Sequence, residues 1–232
     1  MRWLRTLILF DKGNVINSAD WHAVHESYVR SIETLQHPFG SGSFTIRRKR
    51  RGPNQKWIRN GVGYLRQNFL NHIVDVEGWR AEGLADLGLG AQPPIHLYPS
   101  MEEYPIGVTI FGDFDLVTTA PNGTRVAIEW ETGNVSSSHR SMNKLVLALE
   151  SGSVSVGVLI VPSRLLYEHL TDRIGNFEEL SGYMRMWQRF GANVEHGLLA
   201  VSVVEHDHLT DDPNVPYLNV GDDGNALRGR EE

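Results

Sequence analysis

Three carboxylates carry most of the chemistry this sequence can do: Asp115, Glu129 and Glu131. They stand on two segments, 112–119 and 124–131, rich in Phe, Leu, Val, Ile, Trp and Thr and separated by Pro121-Asn122-Gly123. Such segments read as strands joined by a tight turn. Clustered carboxylates repel one another, and a divalent cation between them, or a proton kept on one, relieves the cost. The cation is the expected answer. Directly after Glu131 comes Thr132-Gly133-Asn134-Val135-Ser136-Ser137-Ser138-His139-Arg140, rich in side chains that hydrogen-bond to base edges. Carboxylates beside such a run point to a metal-dependent nuclease.

The turn sets which side chains meet. Pro suits the second position of a type I turn, Asn the third, and Gly the left-handed residue that closes a three-residue loop. A loop centred on Asn122 pairs Ala120 with Thr124 and, by the same sum, Asp115 with Glu129. Strand side chains alternate, so Glu131 shares their face and Trp130 takes the other. A two-residue loop would instead place Asp115 opposite Trp130.

Around this hairpin the apolar pattern supplies a scaffold. Trp21, Val24, Tyr28, Ile32 and Leu35 have helical spacing behind the potential cap Ser18, and residues 62–76 read as a second helix. The basic run Arg47-Arg48-Lys49-Arg50-Arg51 is expected as a loop or arm, and 83–105 as the least regular stretch. Residues 139–150 form a helix whose first turn follows the serines. Val154–Val161 and Leu198–Val204 are buried strands. Ser163 opens a helix, and Asn176 with Glu179 has capping-box spacing. Alternation of strands and helices gives the class α/β with a central mixed β-sheet flanked by helices. One domain over 1–232 is expected: 1–105 as N-terminal helices and basic loop, 106–204 as the catalytic and recognition core, 205–232 as a tail.

Composition narrows the setting. The chain has 232 residues, no cysteine and a net charge of -6. Disulfides and thiolate metal sites are excluded. The apolar start at Met1–Phe10 is too short for a signal-peptide core and no later stretch approaches membrane-spanning length, so a cytoplasmic protein without a membrane partner is expected. The acidic balance argues mildly against non-specific nucleic-acid binding, but it includes the carboxylates a metal would neutralise, and Arg47–Arg51 is a dense local exception.

The run Glu129–Leu145 resembles type II restriction endonucleases of the BamHI family nearly residue for residue. Leu170–Leu180 is a second similar block, and Asn214-Val215-Pro216 through Gly221-Asp222-Asp223-Gly224 resembles the family's tail. The resemblance implies a PD-(D/E)XK nuclease fold and a homodimer that uses Mg²⁺, two ions per active site, to cut a short palindrome, GGATCC, in double-stranded DNA. It also implies a cognate DNA methyltransferase. The motif's usual lysine is Glu131 here. By the same resemblance Asp115 and Glu129 hold metal with the Trp130 carbonyl, and Glu131 is the base. Glu82 and Arg66 match residues near the family's active site. Asn134, Ser136, Arg140, Asp172 and Arg173 read bases, and Asp223-Gly224 touches the minor groove. Arg173 with Asp172 suits one G·C pair, since Arg donates to guanine O6 and N7 while Asp accepts from cytosine N4.

Departures from that pattern keep other readings open. The connection between Asp115 and Glu129 is shorter than in the family, which leaves Asp113 as an alternative ligand. Gln188–Gly197 reads as an insertion, and the basic run has no counterpart of equal charge. Glu150 and Arg185 exchange the charge signs expected at a dimer interface. Asn134 and the serines could serve as helix caps, Arg140 with Lys144 as a solvated helix face, and Asp172-Arg173 as a local ion pair. A sequence-specific binding protein without cleavage, or a glycosidase built on a carboxylate pair, are the competing functions.

Overall fold

The computed structural model describes residues 1–53, 55–83, 94–104, 112–171 and 174–219. Along the chain the strands are β1 (Arg2–Lys12), β2 (Thr45–Arg47), β3 (Arg50–Arg51), β4 (Trp57–Ile58), β5 (Arg80–Gly83), β6 (Ile95–His96), β7 (Glu103–Tyr104), β8 (Phe114–Thr119), β9 (Arg125–Trp130), β10 (Val156–Pro162), β11 (Gly197–Glu205) and β12 (His208–Thr210). The helices are α1 (Ala19–Glu33), α2 (Gly63–Asp75), α3 (Val135–Glu150), α4 (Arg164–Tyr167), α5 (Phe177–Ser181) and α6 (Met184–Phe190).

The central sheet runs β1-β11-β10-β9-β8-β5. Its middle pairs, β9 with β10 and β10 with β11, are parallel, and the flanking pairs are antiparallel. The mixed α/β architecture expected from the sequence is the one observed. Every residue of β10 and β11 is buried, because helices cover both faces. Even-numbered strand residues Val126, Ile128, Val158 and Ile160 pack with Trp21, Tyr28 and Ile32 of α1 and Phe69 and Ile73 of α2. Odd-numbered Ala127, Leu159, Val161 and Val201 pack with Met142, Leu145 and Leu149 of α3 and Trp187 of α6. The two-residue period of the strands thus divides the apolar side chains between two cores.

Several helix signals hold in detail. Ser18 caps α1 by accepting from Trp21 N, Ser163 caps α4 by accepting from Leu166 N, and Asn176 caps α5 by accepting from Glu179 N. Other expectations need correction. The N-terminal stretch holds the two expected helices, α1 and α2, but it also supplies strands that were not expected. It contributes β1 to one edge of the sheet and β5 to the other, since β-branched and aromatic residues in 2–12 pair with the buried β11. The basic run, expected as a loop or arm, includes one limb of a short hairpin, Arg50–Arg51 with Trp57–Ile58. Residues 95–104, within the stretch read as irregular, hold the β6–β7 hairpin. Helix α3 begins at Val135, so the serines lie inside its first turn. Among the described residues no helix is long and apolar enough to cross a membrane.

Candidate active site

The Pro-Asn-Gly loop closes as its residue types demand. Gly123 N donates to Ala120 O and Ala120 N to Thr124 O, both at 2.9 Å, and Gly123 sits at φ 93°. A side chain there would be strained. Asp20 of α1 fixes the loop from outside, accepting from Asn122 N, Asn122 Nδ2 and Thr124 N. The observed register, Leu116 with Ile128 through Thr119 with Arg125, is that of the three-residue loop. Continued by one residue, it sets Asp115 opposite Glu129, and Trp130 packs into the opposite core against Phe69.

Asp115 is held at both oxygens. Oδ2 accepts from Trp130 N at 2.9 Å, and Oδ1 from Arg66 Nη2 at 2.7 Å. Arg66 lies in the first turn of α2. Glu129 is 6% exposed and Glu131 5%. An ion pair joins Glu129 Oε1 to Lys144 Nζ of α3, but that oxygen has no aligned hydrogen-bond partner. Lys144 also donates to Asp113 O at 2.7 Å and lies 4.6 Å from the centre of the Phe114 ring. Glu131 Oε1 accepts from Gly133 N at 2.5 Å, with Ser138 a further partner.

This environment raises the proton affinity of both glutamates. Burial, then the charge of Asp115, pushes Glu129 up to about 7 against the opposing pull of Lys144. Burial also pushes Glu131 up to about 7, with Asp115 adding to it while Gly133 N, Ser138 and Arg140 oppose. The three carboxylates therefore sense one another. Among the described residues, however, no three His, Cys, Asp or Glu gather tightly enough to form a metal cage of their own. The donors present still suit Mg²⁺. They are all hard oxygens, two of the carboxylates are buried, and Mg²⁺ is usually held by one or two carboxylates together with substrate phosphates.

The remaining candidates divide clearly. Asp113 is exposed, and its carbonyl accepts from Lys144. Glu82 is exposed on β5 at φ 51°, in the position that the β5–β8 register sets opposite Asp115. Asn134 caps α3 by accepting from Ser137 N, and Asn134, Ser136 and Arg140 are exposed around that helix start. Asn134 bridges to Ile174, and Gly175 N donates to Gly133 O. A Cβ on Gly175 would come within 1.9 Å of Ser138 Oγ, so a larger residue there would displace the Ser138 hydroxyl from beside Glu131. Asp172, Arg173, Asp223 and Gly224 lie outside the described residues. His139 is packed against Tyr183 and Trp187, a structural role.

Lys144 is the residue that sequence reasoning misplaced. Its spacing from Arg140 suggested a solvated face, yet its side chain is buried against Glu129. A signal was present: Ser141 and Ala148, three residues before and four after, are small, and they leave room on that stripe of the helix for a long side chain to run inward.

A family profile described as "Restriction endonuclease BamHI" matches residues 1–225. The chain belongs to the BamHI family of type II restriction endonucleases. Members of this family are site-specific deoxyribonucleases. The type II restriction enzyme OkrAI of Oceanobacter kriegii is 35% identical over 199 residues, covering 85% of this chain and 86% of that one. The type II restriction enzyme BamHI of Bacillus amyloliquefaciens is 38% identical over 109 residues, 45% of each chain. Among solved structures, restriction endonuclease BglII complexed with a DNA 16-mer is similar in fold, with a TM-score of 0.52 at 11% identity. That match covers 88% of this chain and 79% of BglII.

Proposed function

We propose that this member of the BamHI family hydrolyses phosphodiester bonds of duplex DNA at GGATCC in a Mg²⁺-dependent reaction. The observation that carries the reading is the β8–β9 register, which extended by one residue sets Asp115 opposite Glu129, beside a Glu131 raised to about 7. Asp115, Glu129 and the Trp130 carbonyl would hold two Mg²⁺ ions per site, with Glu82 on the neighbouring strand as a further acidic group. When bound, Mg²⁺ supplies positive charge against the phosphate oxygens and lowers the cost of in-line displacement. Glu131 takes a proton from the attacking water, since a general base works best with a pKa near the operating pH. Arg66 and Lys144 hold Asp115 and Glu129 in place when the pair is ionised.

Asn134, Ser136 and Arg140 would read bases from the exposed start of α3, joined by Asp172 and Arg173 and, in the minor groove, by Asp223-Gly224. A homodimer would present each reader twice, which suits a palindrome. Glu150 and Arg185 would pair across its two-fold axis. Reading and cutting by one domain over 1–232 in the cytoplasm, with a cognate methyltransferase protecting host sites, completes the proposal.

Plasmid DNA incubated with the protein and Mg²⁺ is expected to yield discrete fragments whose ends map to GGATCC, and EDTA is expected to stop the reaction. Binding without fragments would identify a regulator instead. Replacing Arg173 by alanine is expected to relax discrimination at one G·C pair by about 1–3 kcal/mol, measured as competition between cognate and single-substituted duplexes. Equal weakening on every sequence would assign Arg173 to the DNA backbone.

A further inference from the structure

The basic run is built into a junction where three separate segments of the chain converge on Asn60. Asn60 is fully buried. Its Nδ2 donates to Arg47 O at 2.8 Å and to His169 O at 2.9 Å, its backbone N donates to His169 O at 3.0 Å, and its Oδ1 accepts from Leu218 N at 3.2 Å. One side chain thus ties the base of the β3–β4 hairpin to the segment that enters Thr171-Asp172-Arg173 and to the segment that leads toward Asp223-Gly224. Six residues further along the chain, Arg66 reaches Asp115. The other hairpin limb is tied as well. Arg48 N donates to Thr210 O, and Tyr217 Oη to Arg48 O at 2.7 Å.

The hairpin beyond this junction is cationic and displayed. Arg50, Arg51, Lys56 and Trp57 are exposed. Arg51 pairs with Trp57 across the hairpin, with its guanidinium 4.1 Å from the ring centre, and Lys49 Nζ lies 4.9 Å from the same ring. Cation–π contact with a tryptophan limits the freedom of flexible cations without neutralising them. Arg51 also donates to Gln55 O. Arg48 is paired with Asp211. Five cations in a row repel one another, and a polyanion such as a nucleic-acid backbone relieves that repulsion.

We infer that the β3–β4 hairpin, through Arg50 and Arg51, grips duplex phosphates outside the recognised palindrome, and that Asn60 anchors this grip to the segments at His169 and Leu218. The inference rests on the proposed function, since it presupposes a DNA duplex at those readers. It assigns no sequence preference to the hairpin, because phosphate contacts fix position and carry no base information.

The test compares two duplexes containing the palindrome, one ending just outside it and one extended by a helical turn at each end. Binding is measured without metal over a range of salt. The double variant Arg50→Gln with Arg51→Gln is expected to bind the extended duplex about tenfold more weakly than the unsubstituted protein. Its log–log salt slope is expected to be smaller by about 2, one unit for each phosphate that the variant leaves unneutralised. On the short duplex the two proteins are expected to be equal. A loss of the same size on both duplexes, or no loss on either, would overturn the flanking grip. An unsubstituted protein that binds neither duplex would instead overturn the proposed function, so the two failures are distinguishable. Matching melting temperatures establish that the variant is folded.

Discussion

Replacing Glu129 by alanine is expected to lower the cleavage rate by about 10³-fold or more, on the order of 4 kcal/mol of transition-state stabilisation, while leaving specific DNA binding in EDTA nearly unchanged. The division follows from where the groups sit. Glu129 is a buried carboxylate at the end of β9, whereas Asn134, Ser136 and Arg140 are exposed around the start of α3. Removing the carboxylate takes away a proposed metal donor but no proposed reader. The fold should tolerate the change. Lys144 loses its ion pair but keeps the Asp113 carbonyl and the face of Phe114. Asp115 keeps both of its donors, Trp130 N and Arg66. Gel-shift affinity measured beside single-turnover cleavage checks the prediction. Affinity that collapses together with activity would show that Glu129 supports the readers, not the reaction alone.

The site was legible in the sequence wherever local chemistry determined geometry. Pro121-Asn122-Gly123 specifies its loop, the loop specifies the register, and the register sets Asp115 opposite Glu129. Each step involves residues close in the chain, so nothing distant could override it. The Ser18, Ser163 and Asn176 caps were legible for the same reason. What escaped reading depends on partners remote in sequence. The first strand joins the sheet only because β11 offers a buried edge nearly two hundred residues later. Lys144 is inward only because Glu129 waits there with a charge that needs one. Asn60 has no periodic signature, and its role is visible only once Arg47, His169 and Leu218 converge on it.

The same buried carboxylates predict an unusual pH response in metal-free protein. Glu129 and Glu131 are each raised from 4.5 to about 7 on folding, chiefly by burial, with Asp115 adding to the effect. A group bound more tightly to its proton in the folded state stabilises that state fully below its unfolded pKa. The contribution is lost as pH rises through the folded pKa. For this pair the window runs from about 4.5 to about 7, and the loss is on the order of 3 kcal/mol per carboxyl at about 1.4 kcal/mol per unit. Other groups act in the opposite direction: His25 and His169 are lowered by burial and penalise the folded state in acid. The informative quantity is therefore the difference between the unsubstituted protein and the Glu129→Gln, Glu131→Gln double variant, whose amides cannot ionise. In EDTA, the unsubstituted protein's melting temperature should fall relative to the variant's between pH 5 and pH 8. Adding Mg²⁺ at pH 8 should recover stability in the unsubstituted protein alone, because a cation held by Asp115 and Glu129 favours the ionised folded state. Parallel melting profiles for the two proteins in EDTA would mean that burial does not hold protons on these glutamates, and Glu131 would lose its physical qualification as the base.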